Sequence, residues 1–432
     1  MSTEREHSPA LLVRLVVATV GAAVAIGFIG GGFRWCLQRA GELRTDLTDW
    51  AHRNPGIGWL VPVLLAAAGA AIARFIVVKS PRSAGSGIQD VEAVWRREHD
   101  LPGLDVVPGR FVGGLAAIGP GMVLGREGPT VHMGSALGAA AGKAAGLGDD
   151  DRRVLYATVG GAGLAVAFNA PIGGAVFAIE EVTRSFRVRI VVISLLSTAV
   201  AVACSRILNG DTPDFVVPSI AAPSWTGLWV FALFGALLGL IGIGYNAIVT
   251  GILHVTDRMR RSGPFGPVGR AALIGALVGL LLWFDPRLVD GGDSVTQQLL
   301  SGPGMPLLVL LAVLAARFVL GPLCYAAGTP GGLFAPLLAV GALIGTGVQQ
   351  LAGPLLGEVG VSPLPLAIVG MAAFFTATVQ APLTGIVLIV EMTAVTTLTV
   401  PMLIACAAAL LVTHLLKAAP VYDSLRRRML AA

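Results

Sequence analysis

An arginine and a glutamate stand side by side in a glycine-rich and otherwise apolar stretch of the chain. They are Arg126 and Glu127, in the sequence GREGP at residues 125–129. Glycines leave backbone N–H groups open to a ligand, and a helix that begins there directs those groups and its positive dipole end at an anion. The motif therefore predicts an anion site at the amides from Arg126 to Gly128. An ionised Glu127 would compete with the anion, and a protonated Glu127 would release the donors; the alternative is a salt-bridged glutamate at an ordinary helix start.

Two further glycine-rich segments carry possible anion donors. The sequence GTPGGLFAP at residues 328–336 has no charge, and it offers the amides of Leu333 and Phe334 at a second helix start. The sequence SAGSGIQ at residues 83–89 places the hydroxyl of Ser86 between two glycines. The alternatives are a tight turn for the first segment and a flexible loop for the second.

The composition requires these segments to lie in a membrane protein. Of 432 residues, 55% are hydrophobic and 13% are charged, whereas an average soluble domain is about 25% charged. The chain also has 57 glycines, and small residues let helices pack closely in lipid. An all-α polytopic membrane protein is therefore expected, in which an ionisable residue inside a span is a functional candidate.

The apolar segments are uneven in length, and several are shorter than the roughly 20 residues that cross a bilayer. Glycine and proline interrupt others, notably residues 111–147 and 328–350. Broken helices in corresponding halves of a transporter indicate its binding site. The expected spans are residues 11–32, 56–78, 190–203, 227–250, 271–284, 305–320, 364–379 and 400–416.

The distribution of charge suggests an orientation. The net charge of +5 is interpreted as loop bias toward the cytoplasm, not as nucleic-acid binding. The basic residues 426–428 predict a cytoplasmic C-terminus, and the N-terminal apolar segment fits an uncleaved first helix better than a signal peptide. Both termini are expected in the cytoplasm of a bacterial inner-membrane protein. The cysteines and histidines have no metal-ligand spacing, so no metal or cofactor is expected.

The two halves of the sequence repeat each other. Gly332 lies 207 residues after Gly125 (332−125), and three further Gly or Pro pairs share this offset; Glu391 lies 211 after Glu180 (391−180). Two blocks in the same order predict an inverted internal repeat within one domain, residues 1–432. The repeats would cover about residues 11–222 and 223–425. The chain ends shortly after the last span, so no cytoplasmic regulatory domain is expected.

Together these segments resemble the CLC family of chloride channels and transporters. GREGP, GSGI, GGLFAP, the helices that begin at NAP and QAP, and a late Pro-Val-Tyr occur in the family's order, from about Ser83 to Arg428. The resemblance implies a homodimer with one pore per subunit, each subunit built from inverted repeats of tilted, broken helices. It implies that chloride and protons are the transported ions and that the protein is not an enzyme.

The resemblance also assigns roles to individual residues. Ser86 and Tyr422 would donate hydroxyl hydrogen bonds to a central chloride, and the amides of Leu333 and Phe334 would complete that site. The amides around Arg126 and Gly128 would form an outer site in which the carboxylate of Glu127 acts as the gate.

Glu181 would be the inner proton acceptor, which the family's exchangers hold and its channels replace. This residue favours a chloride/proton antiporter, with a passive chloride channel of the same fold as the alternative. The other interpretation of Glu180 and Glu181 is a water-facing pair beside Arg184 and Arg187. A membrane-embedded hydrolase is a distant alternative, because Ala84 replaces the first glycine of a nucleophile elbow around Ser86.

Three further positions bear on the central site. Gln89 replaces the family's usual proline, whose absence is expected to loosen the turn after Ser86. Ser86 and an intact GREGP favour chloride over fluoride or nitrate. Glu92 and Arg110 occupy positions where the family often keeps an acid and a base, and they are expected to form a buried ion pair that supports the site.

Overall fold

The structure is a computed structural model that describes residues 9–54, 56–262, 266–302, 304–358 and 364–431. The described residues form an α-helical protein, as expected. Its α-helices are α1 (Pro9–His52), α2 (Leu60–Lys79), α3 (Ile88–Trp95), α4 (Val106–Ile118), α5 (Glu127–Ala144), α6 (Asp149–Phe168), α7 (Pro171–Phe177), α8 (Val188–Asn209), α9 (Leu228–Ser262), α10 (Pro267–Phe284), α11 (Asp293–Ser301), α12 (Leu307–Ala326), α13 (Phe334–Glu358), α14 (Pro365–Val379), α15 (Pro382–Thr393), α16 (Thr399–Leu415) and α17 (Val421–Leu430).

Seven helices in the described residues are long and apolar enough to cross a membrane: α1, α2, α8, α9, α10, α12 and α13. Four more apolar helices, α4, α14, α15 and α16, have only 10–17 residues. Every expected span coincides with one of these helices. The helices differ in length, as the apolar segments of the sequence do. The chain is thus a multi-pass membrane protein with several helices that stop short of a full crossing.

Glycine allows neighbouring helices to pack backbone against backbone. A side chain added at Gly134 or Gly138 of α5 would collide with a carbonyl of α6, and one added at Gly163 of α6 would collide with a carbonyl of α5. Gly275 and Gly279 of α10 contact α2 in the same way. Because lipid gives little drive for apolar surfaces to associate, such close van der Waals packing stabilises the bundle.

Two helix breaks have the same local cause. Helix α6 ends at Asn169 and α14 ends at Gln380, both with left-handed backbone, at φ 50° and φ 67° respectively. Each is followed by an alanine and then by a proline at the first position of the next helix, α7 or α15. A left-handed residue ends a helix, and proline is favoured at a first position because it has no N–H to satisfy. The sequences NAP and QAP therefore each code for a break and a restart.

Candidate functional site

The three glycine-rich segments of the sequence meet in the protein interior. The Ser86 loop (residues 82–87) and residues 328–333 pair through Gly85: its N–H donates to the Thr329 carbonyl at 3.1 Å, and its carbonyl accepts from the Gly331 N–H at 3.1 Å. Gly125 and Gly332 exchange backbone hydrogen bonds of 2.8 and 2.9 Å. Short backbone bridges therefore hold the three predicted donor segments together, although they lie far apart in sequence.

The carboxylate of Glu127 occupies the start of the opposite helix. Its Oε1 accepts a hydrogen bond from the N–H of Phe334, the first residue of α13, at 2.9 Å, and the side chain is fully buried. A side chain at Gly125 or Gly332 would collide with this carboxylate. The two glycines that the sequence pairs thus clear a space of anion size, and Glu127 fills it. We call this space the Glu127 seat.

The salt-bridged interpretation of Glu127 does not hold, because its neighbour Arg126 points elsewhere. The Arg126 guanidinium donates to the Ala167 carbonyl at 2.9 Å and to Asp214 and Asp293 at 3.1 Å each. These two acids, with Arg34 and Arg44, line a cavity of about 370 Å³ that reaches the backbone of residues 124–126. Arg126 therefore directs its guanidinium at the acids of the adjoining cavity and not at the carboxylate of Glu127.

Ser86 lies directly against the start of α5. A Cβ added at Gly128 would lie 2.6 Å from Ser86 Oγ, so only glycine permits this approach. The Ser86 N–H donates to the hydroxyl of Tyr325 at 3.4 Å. Ser86 Oγ is buried and has no hydrogen-bond partner among the described residues. A buried hydroxyl without a partner is costly, so this oxygen is a candidate anion donor.

Tyr422 at the start of α17 contributes a second such hydroxyl. Its side chain is fully buried, and its oxygen has no hydrogen-bond partner in the part of the chain that the structure describes. The phenol lies within electrostatic reach of both Glu127 and Glu181. Tyr422 therefore interacts electrostatically with both glutamates to which the family resemblance assigns gating and proton transfer.

Arg110 and Glu92 are both fully buried, but no ion pair joins them among the described residues, so that prediction is wrong. Arg110 donates to the carbonyls of Arg82 and Ala84 at 3.0 Å each, to the Gly85 carbonyl, and to Nδ1 of His132 at 3.1 Å. The physical reason is the shape of the guanidinium, whose five donors match the converging carbonyls of the Ser86 loop. Arg110 supports the central site by holding that loop.

Glu92 belongs instead to a cluster that includes Glu181. The two carboxyls interact directly with each other. The nearest cationic atom in an ion pair with Glu92 is Arg426 Nε, at 3.7 Å. Both Glu92 oxygens and Glu181 Oε1 lack a conventional hydrogen-bond donor among the described residues. We call Glu92, Glu181 and Arg426 the inner cluster, and its two adjacent acids favour sharing a proton.

Glu180 and Glu181 face opposite surroundings although they are adjacent. They lie in a π-helical turn, Ala178–Thr183, and such turns are frequent at functional sites. Glu181 is 2% exposed. Glu180 accepts hydrogen bonds from the N–H groups of Leu383 and Thr384 at 3.0 and 2.7 Å. Glu180 therefore caps the start of α15, and the burial of Glu181 does not fit the interpretation of a water-facing pair.

Several residues around the site were not predicted from the sequence. Tyr325 contacts the Ser86 N–H, and its hydroxyl also interacts with the Gln89 side chain. Asp90 and His132 complete the surroundings of Arg110. Gln89 thus gains a side-chain contact that proline could not make, and Arg110 holds the carbonyls that precede Ser86. Of these residues, only His132 could have been noticed in the sequence, because it is a polar residue in the helix that follows GREGP.

The chain is similar to several known proteins. The sequence model of the family described as "Voltage gated chloride channel" matches residues 64–414. The H(+)/Cl(-) exchange transporter ClcA of Vibrio parahaemolyticus serotype O3:K6 is 37% identical over 430 residues, which cover 96% of this chain and 90% of that protein. The protein of the same name from Salmonella paratyphi B is 33% identical over 432 residues, covering 99% and 90%.

Solved structures have the same fold. A crystal structure of a slow cyanobacterial Cl⁻/H⁺ antiporter superimposes with a TM-score of 0.90 at 30% identity, covering 97% of this chain and 98% of that one. A eukaryotic CLC transporter gives a TM-score of 0.81 at 23% identity, covering 97% and 74%, which shows the shared fold alone. From its family match, its relatives and its fold, the chain belongs to the CLC family of voltage gated chloride channel proteins.

Proposed function

We propose that this protein is an antiporter that moves chloride across the membrane in exchange for protons. The observation that carries the proposal is the Glu127 seat, in which a carboxylate accepts a helix-start N–H that an anion would otherwise bind. Relatives named as H(+)/Cl(-) exchange transporters support the same function. The exchange follows from competition, because the seat holds either the ionised carboxylate or an anion.

Four groups form the proposed central chloride site. Ser86 and Tyr422 offer buried hydroxyls that have no other acceptor among the described residues, and Leu333 and Phe334 offer amides at the start of α13. Hydrogen bonds to a charged acceptor are shorter and roughly twice as strong as neutral ones. Four donors without a fixed cation would bind chloride firmly enough for selectivity and still release it.

Protons and chloride would share only the outer part of the route. Protonated Glu127 leaves its seat, the amides of residues 126–128 then bind a second chloride, and the carboxyl carries its proton outward. On return, the ionised carboxylate displaces that chloride. Glu181 would supply protons from the inner side, because it lies buried next to a second acid and within electrostatic reach of Tyr422.

We also propose that the domain is built from two inverted repeats, about residues 11–222 and 223–425. Reciprocal capping supports this arrangement. Glu180 of the first half accepts N–H groups at the start of α15, and Glu391 of the second half accepts those of Ile172 and Gly173 at the start of α7, at 3.0 and 2.6 Å. A two-fold relation between the halves produces this exchange of equivalent contacts.

The resemblance extends the proposal to the assembly and its location. The protein would be a homodimer with one pore per subunit, surrounded by lipid in a bacterial inner membrane, with both termini in the cytoplasm. Chemical cross-linking in native membranes tests the dimer, and labelling of single cysteines near each terminus tests the orientation.

Coupled flux in liposomes tests the proposed exchange. Purified protein is reconstituted with high chloride inside, a potassium ionophore clamps the voltage, and an external pH electrode records protons. An antiporter lets the outward chloride gradient drive protons into the vesicles against their own gradient. Chloride efflux without any uphill proton movement would instead identify a passive channel.

A further inference from the structure

His132 lies beneath the Ser86 loop, and the proposed transport cycle gives it no role. It follows Gly128 by four residues on α5, so both residues face the same side of that helix. Gly87 has φ +89°, and a Cβ added there would lie 2.8 Å from His132 Cβ and 2.7 Å from a terminal nitrogen of Arg110. The helix that supports Ser86 through Gly128 therefore also supports the next residue of the loop through a fully buried imidazole.

The hydrogen bonds of His132 fix its tautomer. Its Nδ1 lies 3.1 Å from Arg110 Nε, and its Nε2 lies 2.9 Å from Asp90 Oδ2. A guanidinium can only donate, so Nδ1 must accept and carries no hydrogen. The hydrogen is therefore on Nε2, which donates to the carboxylate. A neutral imidazole thus connects a buried cation to a buried anion, and moving it would disturb both.

Asp90 is held as firmly as Arg110. Its carboxylate accepts from the Tyr156 hydroxyl at 3.0 Å and from Arg82 at 2.8 Å, and it contacts Nδ1 of the half-exposed His99 at 2.6 Å. The Asp90 N–H donates to the Gly87 carbonyl at 3.0 Å. Asp90 is therefore fixed both by its side chain and by the backbone that continues the Ser86 loop into α3.

These contacts close a ring around Ser86. Arg110 holds the carbonyls that precede Ser86, His132 connects Arg110 to Asp90, and Asp90 returns to the carbonyl that follows Ser86. An imidazole that served only to satisfy Arg110 would need no such connection to both sides of the loop. The ring leaves the Ser86 hydroxyl without a hydrogen-bond partner among the described residues.

We propose that His132 is a positioning residue that fixes the Ser86 hydroxyl in the central anion site and so sets the size of anion that this site accepts. The inference rests on the proposed function, because it assumes that Ser86 binds the transported anion. A fixed donor favours chloride over a larger anion such as thiocyanate, since the larger anion requires the loop to move outward.

Two substitutions of His132 distinguish the effect of its hydrogen bonds from the effect of the volume that its side chain fills. Met fills a similar volume but neither accepts from Arg110 nor donates to Asp90, so in His132→Met the ring opens. Gln carries one acceptor and two donors on its amide, so in His132→Gln both connections can re-form. We expect His132→Met to weaken chloride binding by about tenfold and to lower the ratio of chloride to thiocyanate flux, and His132→Gln to remain within about twofold of the parent.

The measurements are isothermal titration calorimetry with chloride on the purified full-length protein and anion flux in liposomes. Met133→Leu is the matched control, because Met133 is the next residue of α5 and packs into a different apolar cluster. It should change neither quantity. If His132→Met and His132→Gln behave alike, or if neither changes binding or the flux ratio, the positioning role is overturned.

Ser86→Ala distinguishes failure of this inference from failure of the proposed function. If Ser86→Ala weakens chloride binding and His132→Met does not, only the inference fails; if Ser86→Ala has no effect, the central site itself is wrong. If His132→Met does not fold, Tyr156→Phe can be used instead. This substitution removes one hydrogen-bond donor to Asp90 and keeps the aromatic side chain. It should weaken chloride binding about threefold, and unchanged binding would overturn the positioning role.

Discussion

Two buried glutamates, Glu127 and Glu181, differ in what surrounds their carboxylates. Glu127 accepts a backbone N–H at the start of α13 and lies between two glycines whose lack of side chains leaves room for its carboxylate. Glu181 interacts with another acid, Glu92, and its Oε1 has no donor among the described residues. One carboxylate thus occupies a space built for an anion, whereas the other lies where a second negative charge is unfavourable.

The surroundings of each carboxylate determine which task it can perform. Helix-start N–H groups stabilise negative charge, so Glu127 can bind there when ionised and be replaced by chloride when protonated. Two carboxyls in contact cannot both ionise cheaply and tend to share one proton. The inner cluster is therefore suited to hold and pass protons.

The largest expected effect comes from neutralising the gate. Glu127→Gln keeps the size of the side chain but removes its titration, so it should abolish proton transport while chloride flux continues. An external pH electrode and a chloride electrode on the same liposomes measure both fluxes.

Glu391→Gln is the matched control for that change. Glu391 also accepts two N–H groups at a helix start, but it lies outside the proposed route. Proton transport should persist in this variant. Normal proton coupling in Glu127→Gln would show that the carboxylate in the seat is not the gate.

Neutralising the inner acid should have the second largest effect. Glu181→Gln should stop proton transport, because the inner cluster loses the acid that interacts electrostatically with Tyr422. The pH dependence of chloride flux should largely remain, since Glu127 is intact. Glu180→Gln is the adjacent control, because Glu180 caps α15 and does not enter the cluster. If Glu180→Gln stopped proton transport and Glu181→Gln did not, Glu180 and not Glu181 would be the inner proton acceptor.

Tyr422 is within electrostatic reach of both Glu127 and Glu181, and its removal should have an intermediate effect. Tyr422→Ala should weaken central chloride binding by about 1.5–3 kcal/mol, the contribution of a hydrogen bond to a charged group, and loosen coupling. Calorimetry with chloride measures the loss, and Tyr422→Phe separates the hydroxyl from the ring. Tyr245→Phe is the control, since Tyr245 is another buried phenol without a hydrogen-bond partner among the described residues. Unchanged affinity in both Tyr422 variants would remove Tyr422 from the site.

The sequence predicted the fold and much of the site because these depend on local patterns. Apolar segments mark the helices, and NAP and QAP mark helix breaks through the backbone preferences of Asn169, Gln380 and the prolines that follow. GREGP and GGLFAP predicted helix starts within the protein. The contact of Glu127 with Phe334 in the other half was not predicted, because the sequence assigned that amide to the central site.

Side-chain partners could not be predicted in the same way. Arg110 was paired with Glu92 on position alone, but the carbonyls that it contacts converge only after the Ser86 loop has folded. Asp90 and Tyr156 are brought together by the packing of α3 against α6. Such contacts depend on rotamers and helix packing, for which a single sequence gives no periodic signal.

The smallest expected effect is an interaction energy between Arg110 and Glu92. Arg110→Met should lower the free energy of unfolding by about 3–5 kcal/mol, because several buried acceptors lose a charged donor. Glu92→Leu should change it by less than about 1 kcal/mol, since it removes a buried acid that lacks a conventional donor. The two residues belong to separate networks, so the effects in the double variant should add within about 0.3–0.5 kcal/mol. Urea titration of the protein in detergent, followed by tryptophan fluorescence, measures all three variants, and recovery of stability in the double variant by more than about 1 kcal/mol would show that the two charges pair after all.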